Sequence, residues 1–295
     1  MRISEETVRS LVAAQFPEWA GQPVRQARSA GTVNAIFRVG TGLTARFPLR
    51  EGETEAVRRE LLAEAYAASL LHNRTRFATP RPVAIGEPGH GYPLPWSVQT
   101  WLPGTIATDD DPGESEAFAR DLAELIAGMR AVGTDGRTFA GRGRGGVIAN
   151  HEDWVRTCLA NSERLLPVPR LRRLWDAMRE LPRGGDKDVM THSDLMPGNV
   201  LVAGGRLAGV LDVGGFGPAD PALDLIGAWH LLESGPRGLL RAELGCDDLE
   251  WARGQAWAFE QSLGLVWYYE TSNPVMSRIG RRTLERIVAD PCVTV

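Results

Sequence analysis

Cysteine is scarce in this chain, and long apolar runs are missing. The three cysteines, Cys158, Cys246 and Cys292, lie far apart and form no Cys-x-x-Cys pair. We therefore expect reduced thiols, with neither a zinc site nor redox chemistry. No apolar run approaches the length needed to span a bilayer, and the first residues lack the basic and apolar segments of a secretion signal. These absences predict a cytoplasmic protein that does not use a membrane as a partner.

Basic residues are too few for a general nucleic-acid binder. The 33 Lys and Arg residues are outnumbered by 37 Asp and Glu residues, which gives a formal net charge of −4. A protein that binds nucleic acid normally has a basic surface. Hydrophobic residues make up 43% of the 295 residues, which is typical of a globular chain with a large core. We expect a monomer or a weak dimer, and no nucleic-acid partner.

The pattern of apolar residues changes near residue 102. Before it, short apolar runs punctuated by glycine predict five strands, at 24–30, 35–39, 43–49, 83–86 and 96–101. One helix, at about 53–72, is predicted among them, with Pro80-Arg81-Pro82 as its stop. Beyond Pro103-Gly104 the spacing is helical, and the last three helical segments are expected at roughly 221–233, 249–269 and 276–288. The chain is thus predicted to be α+β, with a five-stranded antiparallel sheet and one helix in an N-terminal lobe (1–102) and a larger, mainly helical C-terminal lobe (103–295).

Three polar residues have the spacing that phosphoryl transfer needs: Asp194, Asn199 and Asp212. Four residues separate Asp194 from Asn199, so one short loop can direct a carboxylate to an acceptor hydroxyl and an amide to a metal. Twelve residues separate Asn199 from Asp212, enough for two strands joined by a turn at Ala203-Gly204-Gly205-Arg206. This hairpin returns Asp212 to Asn199, where both can bind Mg²⁺ on the phosphates of a nucleotide. Taken singly, such a residue is more often a turn former or a cap.

The segment His192-Ser-Asp-Leu-Met-Pro-Gly-Asn199 and the later Ala219-Asp-Pro-Ala-Leu-Asp-Leu225 resemble protein kinase-like enzymes, and more closely the aminoglycoside phosphotransferase family. Similar stretches occur along about the whole chain, among them Trp101-Leu-Pro-Gly104. The resemblance implies a two-lobe kinase-like fold with Mg²⁺ as cofactor, ATP or GTP as phosphate donor, and Asp194 as the catalytic residue. It also implies that Asp224 braces the catalytic loop, although a charge in the first turn of a helix is an equal alternative.

The nucleotide-binding residues are predicted mainly from the N-terminal lobe. A loop containing Ser29, Gly31 and Thr32 could lay backbone N–H groups against phosphates, or it is an ordinary hairpin loop with a single glycine. Arg46, on the third strand, stands where kinase-like enzymes use a lysine to grip phosphates, and Glu64 is its first expected partner, with Glu60 as the fallback. The resemblance implies that the link from Gln99 to Trp101 faces the purine, and that Trp96 and Trp101 could wall the pocket.

Two positions depart from the family pattern. Ser193 stands where these enzymes usually have glycine, and Val213 where the metal motif usually has phenylalanine. Neither residue is a metal ligand or the base, so an active enzyme remains the favoured interpretation. We expect His192 to support the catalytic loop through a backbone hydrogen bond.

The acceptor is predicted to be small, hydroxylated and cationic, because the resemblance points to aminoglycosides. Acidic residues of the C-terminal helices could line its pocket or form a solvated helix face: Asp247, Asp248, Glu250, Glu260 and Glu270. The segment from Arg137 to Gly146 is expected to be a flexible connection, with an anion site as the alternative. Three functions remain open, namely an antibiotic O-phosphotransferase, a kinase for another small hydroxyl compound or a different antibiotic, and a degenerate nucleotide-binding protein without turnover.

Overall fold

A computed structural model of the chain describes residues 3–27, 33–141, 143–185 and 187–293. Its antiparallel sheet has five strands in the order β1-β2-β3-β5-β4, which confirms the predicted sheet. The strands are β1 Val24–Gln26, β2 Asn34–Val39, β3 Leu43–Pro48, β4 Pro82–Gly86 and β5 Trp96–Thr100. Strand β1 is shorter than predicted, and the residues from 28 to 30 lie outside the described part of the chain.

Two helices accompany this sheet, although only one was predicted. Helix α2, Thr54–Leu71, is the expected one, and the side chain of Glu53 caps it by accepting hydrogen bonds from the first-turn amides. It ends well before Pro80, since the chain turns away at Asn73 with φ 60. The predicted range of this helix was therefore right, but the prediction that Pro80-Arg81-Pro82 ends it was wrong.

The unpredicted helix is α1, Glu5–Gln15. Ser4 caps it, with its hydroxyl accepting from the amide of Thr7, and two glutamates occupy the first turn. Val8, Leu11 and Val12 have helical spacing and are buried against the sheet. This helix was not predicted, although the cap at Ser4 and the spacing of Val8, Leu11 and Val12 are helix signals in the sequence.

The remainder of the chain is mainly helical, as predicted. The helices are α3 Glu116–Arg130, α4 Glu152–Asn161, α5 Val168–Met178, α6 Ile226–Leu231, α7 Ser234–Leu244, α8 Asp248–Tyr268 and α9 Pro274–Ala289. Helix α7 was not predicted, because Gly235, Pro236 and Gly238 interrupt its pattern. Within the described residues, no helix is both long and apolar enough to cross a membrane.

The predicted hairpin after Asn199 is confirmed. The strands outside the five-stranded sheet are β6 Thr105–Ile106, β7 Val189–Thr191, β8 Val200–Ala203, β9 Arg206–Val210 and β10 Gly217–Ala219. Strands β8 and β9 are antiparallel, and the turn between them places Gly204 at φ 58 and Gly205 at φ 70. Both values lie in the left-handed region that a two-residue hairpin turn requires and glycine adopts without strain.

Two separate apolar cores underlie the two parts of the molecule. The smaller core joins α1, the sheet and the first half of α2, whereas the larger core holds the C-terminal helices and the hairpin. The last turns of α2, with Ala67, Ala68 and Leu71, pack into the larger core together with Phe77. Helix α2 thus contacts both cores, and the hairpin lies at the seam between them.

Candidate active site

A cavity of about 520 Å³ opens at the seam between the sheet and the helical part. Its walls come from β2, β3 and the link that follows β5, and from the hairpin region. Six of the predicted site residues line it: Arg46, Gln99, Trp101, Asp194, Asn199 and Asp212. Three others, Ser29, Gly31 and Thr32, lie outside the described residues. The volume is in the range of small-molecule sites, and such sites favour the boundary between domains.

The loop from His192 to Asn199, predicted to be catalytic, is braced by a buried carboxylate. Asp224 accepts hydrogen bonds from the backbone amides of His192 and Ser193, both at 2.8 Å. Burial raises the pKa of Asp224, although the nearby His192 and these two amides act in the opposite direction. The bracing role that the family resemblance implied for Asp224 is therefore confirmed.

His192 holds the loop to the hairpin. Its Nε2–H donates to the carbonyl of Leu211 at 2.8 Å, and its Nδ1 accepts from the amide of Asp194 at 3.3 Å. The predicted backbone hydrogen bond is confirmed. Between these residues Ser193 adopts φ 70, which explains why glycine is usual at this position of the family. The serine is accommodated at a strained backbone position.

Asp194 is held by three side chains. Its Oδ2 accepts from Asn199 Nδ2 at 2.8 Å. Its Oδ1 accepts from Gln261 Nε2 at 2.6 Å and from Arg144 Nη2 at 3.3 Å. The carboxylate remains partly exposed to the cavity. Neither Gln261 nor Arg144 was predicted as a site residue, because nothing in their local sequence indicates a contact with Asp194.

Asn199 and Asp212 offer oxygen atoms that suit a magnesium ion. The amide of Leu211 donates to the carbonyl of Asn199 at 2.8 Å, which ties the two ends of the hairpin together next to Asp212. Asp212 itself has φ 55, a left-handed conformation that sets its direction after the strand. One carboxylate and one amide oxygen are few ligands, but Mg²⁺ keeps several waters and binds phosphate oxygens as well. The two residues therefore fit the predicted ion.

Val213 follows Asp212 and is buried in the larger core, where it takes the place of the usual phenylalanine. The next residue, Gly214, lies against the Glu64 side chain, because a Cβ built there would be 2.8 Å from Glu64 Cγ. Burial raises the pKa of Glu64, an effect that the nearby Arg46 partly offsets. Helix α2 thus packs directly on the loop that contains Asp212.

Arg46 pairs with a different carboxylate from the one predicted. Its Nη2 donates to Asp212 Oδ1 at 2.6 Å. Within the described residues it forms no ion pair with Glu64, and the fallback Glu60 pairs with Arg50 instead. Both predicted partnerships were wrong, since Arg46 reaches across the seam to the hairpin rather than to its neighbouring helix.

Backbone amides at the end of β5 and in the link that follows it form hydrogen bonds with neighbouring parts of the N-terminal lobe. The amide of Trp101 donates to the carbonyl of Gly42 at 2.8 Å, and that of Thr100 to the carbonyl of Arg81 at 2.9 Å. Trp101 lines the cavity, with the guanidinium of Arg38 over its ring at 4.8 Å. Trp96 is fully buried and stacks on Phe47 at 4.8 Å, so its suggested place in the pocket wall was wrong.

Most acidic residues suggested for the acceptor pocket have other partners. Asp247 caps α8, Asp248 pairs with Arg241, and Glu250 pairs with Arg130 at 2.6 Å. Glu260 is buried and contacts His151 Nδ1 at 2.8 Å, which excludes the solvated alternative for this residue. Glu270 is exposed. None of the five lines the cavity, whereas Asp109, Tyr269 and Met276 do.

The segment from Arg137 to Gly146, expected to be a connection, lies beside the catalytic loop. Arg144 contacts both the carbonyl of Ser193 and Asp194, each at 3.3 Å. The amide of Asp220 donates to the carbonyl of Gly145 at 3.0 Å, which attaches the segment to the strand β10 region. A side chain at position 145 would approach Ala219 Cβ to 2.8 Å, so this close approach requires glycine.

A family model described as the phosphotransferase enzyme family matches residues 24–258. An aminoglycoside 3'-phosphotransferase of Escherichia coli is 38% identical over 61 residues, which are 21% of this chain and 22% of that protein. A viomycin phosphotransferase of Streptomyces vinaceus is 31% identical over 162 residues, which are 50% of this chain and 54% of that protein. The chain thus spans about half, or less, of the length of these curated relatives.

A solved structure gives a likeness over nearly the whole chain. The GDP and kanamycin complex of APH(2")-IIia superimposes with a TM-score of 0.71 at 19% identity, covering 96% of this chain and 99% of that one. At this identity the likeness concerns the fold, and it confirms the predicted kinase-like architecture.

Proposed function

Because the chain belongs to the phosphotransferase enzyme family, we propose that it moves the γ-phosphoryl group of ATP or GTP to a hydroxyl group of an aminoglycoside-type antibiotic and so inactivates it. One observation carries this proposal. Arg46 is distant in sequence from Asp194, Asn199 and Asp212, and all four line one cavity at the seam of the molecule. Phosphoryl transfer needs little covalent chemistry from the protein, so a cavity that orients two substrates and neutralises charge suffices.

Each residue has a distinct role in this proposal. Asp194 orients the acceptor hydroxyl and accepts its proton as the bond to phosphorus forms. Asn199 and Asp212 would hold Mg²⁺, which would supply positive charge next to the phosphates. Arg46 already contacts Asp212, and its planar guanidinium can bind phosphate oxygens from the same place. Glu64, Gln99 and Trp101 complete the nucleotide side, together with the loop that contains Ser29, Gly31 and Thr32.

The donor and the acceptor are supported by similar proteins. The similar solved structure contains GDP and kanamycin, which supports a nucleotide donor and a cationic acceptor. The match to a viomycin phosphotransferase supports a second candidate, the phosphorylation of a different antibiotic. The exposed Asp109 at the cavity wall supplies negative charge for either acceptor.

The proposed function is tested by measuring whether a phosphorylated antibiotic forms. The purified protein is incubated with Mg²⁺, with ATP or GTP, and with a mixture of aminoglycosides, and added phosphate is detected by mass spectrometry. A parallel mixture contains viomycin. We expect a product whose mass rises by one phosphate, and we expect Asp194→Asn to lower its rate of formation by about 100-fold or more.

Asp176→Asn is the matched control, because Asp176 lies on α5 and pairs with Arg179 away from the cavity. This control is expected to keep wild-type activity. Nucleotide binding without any product from either mixture would contradict the antibiotic proposal, and would leave a kinase for another small hydroxyl compound or a binding protein without turnover.

A further inference from the structure

The two oxygen atoms of Asp194 are not equivalent. Oδ1 accepts two hydrogen bonds, at 2.6 Å from Gln261 and at 3.3 Å from Arg144, whereas Oδ2 accepts one, at 2.8 Å from Asn199. A carboxylate has about four acceptor positions, two on each oxygen. The two donors therefore saturate Oδ1, and within the described part of the chain Oδ2 accepts one hydrogen bond and keeps one acceptor position free.

Gln261 is held by a buried chain of polar groups. Its Oε1 lies 3.1 Å from His230 Nε2, and His230 Nδ1 lies 2.9 Å from Thr283 Oγ1. Burial lowers the pKa of His230 to about 3, so the imidazole is neutral. A neutral imidazole with its proton on Nε2 donates to Gln261 Oε1, and this contact turns the amide so that Nε2–H points to Asp194. Helices α6, α8 and α9 together thus set the direction of one donor.

Arg144 is held independently from the other side. Its Nη2 also donates to the carbonyl of Ser193 at 3.3 Å, and its Nη1 lies 3.9 Å from Glu260 Oε2. Glu260 is in turn fixed by His151 at 2.8 Å, and His151 Nε2 lies 3.3 Å from the carbonyl of Gly143. The hydrogen bond that His151 donates to Glu260 raises the pKa of His151, which favours its charged form beside this carboxylate. Arg144 thus lies between the carboxylates of Asp194 and Glu260.

We propose that Gln261 and Arg144 are positioning residues for the transfer reaction, and that they clamp Asp194 Oδ1 so that Oδ2 faces the acceptor hydroxyl. We call this pair the Asp194 clamp. The inference rests on the proposed function and adds residues from α8 and from the Arg137–Gly146 segment to its machinery. A displacement of a reacting group by about 1 Å can cost about 100-fold in rate, so fixing one carboxylate oxygen has a measurable effect.

The clamp predicts a defined kinetic signature. Gln261→Met keeps similar volume and removes the donor, and Arg144→Met does the same on the other side. We expect each to lower kcat by roughly 10- to 100-fold, while KM for the acceptor and the affinity for Mg²⁺-nucleotide stay within about threefold. Arg144→Lys, which keeps the charge and one donor, is expected to recover part of the loss. Guanidinium ion added to Arg144→Met is expected to recover part as well.

Two control variants match these substitutions. Gln255→Met changes another buried glutamine of α8, whose amide contacts Asp290 and Cys292. Arg137→Met changes an arginine of the same segment as Arg144, whose contacts are with Thr134 and Met190. Both are expected to turn over at the wild-type rate. Equal losses in the control and clamp variants would indicate a general structural effect and would overturn the proposal.

A crystal structure of each clamp variant provides a readout that does not depend on activity. We expect the Asp194 carboxylate to rotate away from its wild-type direction in Gln261→Met and Arg144→Met, and to keep it in the two controls. If wild type phosphorylates no acceptor, the proposed function fails, and this rotation alone decides the clamp. An unchanged carboxylate in the clamp variants, or an unchanged kcat where wild type is active, overturns the clamp.

Discussion

At the scale of single residues, the buried His230, which contacts Gln261, makes the free energy of unfolding depend on pH. The folded protein keeps it neutral, because burial lowers its pKa from 6.5 to about 3, whereas the unfolded chain takes up a proton at the ordinary pKa. The folded state therefore binds fewer protons than the unfolded state over this range. The contribution of His230 to the free energy of unfolding is present in full above pH 6.5, and it falls by up to about 1.4 kcal/mol per pH unit as the pH drops towards about 3.

His230→Gln tests this dependence. We expect the free energy of unfolding of wild type to exceed that of His230→Gln by the largest amount at about pH 7, and by a smaller amount at about pH 5. Urea unfolding of both proteins at the two pH values measures the difference. A difference independent of pH would show that His230 keeps the pKa of an exposed histidine in the folded state, and a larger difference at about pH 5 than at about pH 7 would show that it is charged there.

At the scale of elements, the close approach of α8 and α9 depends on Gly280. A Cβ at this position would lie 2.7 Å from the carbonyl oxygen of Ser262 and 3.0 Å from Leu265 Cβ. The carbonyl belongs to the backbone of α8, so relief requires the helices to separate. We expect Gly280→Ala to lower the free energy of unfolding by about 1–3 kcal/mol, measured by chemical denaturation.

Gly238, in α7, is the matched control for Gly280. It is also helical, but a Cβ there would meet no atom within 4 Å. Alanine at such a site removes the entropy cost of glycine, so Gly238→Ala is expected to stabilise the protein by up to about 1 kcal/mol. Two substitutions of the same kind are thus expected to have opposite signs, and equal effects would refute the packing argument.

At the scale of the whole molecule, Asp121 joins the two parts of the chain. This carboxylate on α3 is 2% exposed and accepts hydrogen bonds from Arg206 of β9 and from Arg76, which follows α2. It also accepts from the backbone amide of Leu207 at 3.2 Å. Asp121→Asn weakens all of these contacts, and we expect the free energy of unfolding to fall by about 1–3 kcal/mol.

The control for Asp121 is its neighbour in the same network. Glu124 pairs with Arg76 at 2.6 Å, but its side chain is 54% exposed. Glu124→Gln is expected to change the free energy of unfolding by less than about 1 kcal/mol, because exposed ion pairs contribute little. A larger loss for Glu124→Gln than for Asp121→Asn in thermal unfolding would contradict the assigned role of the buried carboxylate.

Binding at the seam should also stabilise the whole molecule. A nucleotide that binds only the folded protein adds about 2.7 kcal/mol at a concentration about 100 times its Kd. We expect Mg²⁺ with ATP or GTP to raise the Tm, and we expect EDTA or Asp212→Asn to reduce this rise. The same rise in the presence of EDTA would exclude Mg²⁺ from the binding reaction.

Much of the fold could be predicted from sequence, and six of the predicted site residues line one cavity. The alternation in β2 and the helical spacing in α2 reflect local burial, and Gly204-Gly205 suits only a tight turn. Asp194 and Asn199 occupy one short loop, so their proximity follows from chain length alone. Helices α1 and α7 were not predicted. Strand-like runs dominate the sequence that follows α1, and glycine and proline interrupt the helical pattern of α7.

The sequence by itself determined the local arrangement of this protein, namely a short polar loop, a hairpin and a carboxylate that returns beside an amide. Only the tertiary structure decided which distant residues complete it. Arg46 is 166 residues from Asp212, Gln261 is 67 from Asp194, and Arg144 is 50 from Asp194. Contacts at such separations depend on how the helices and the sheet pack, because no local periodicity or turn relates one residue to the other. The wrong partner predicted for Arg46 and the unpredicted Asp194 clamp have this same cause.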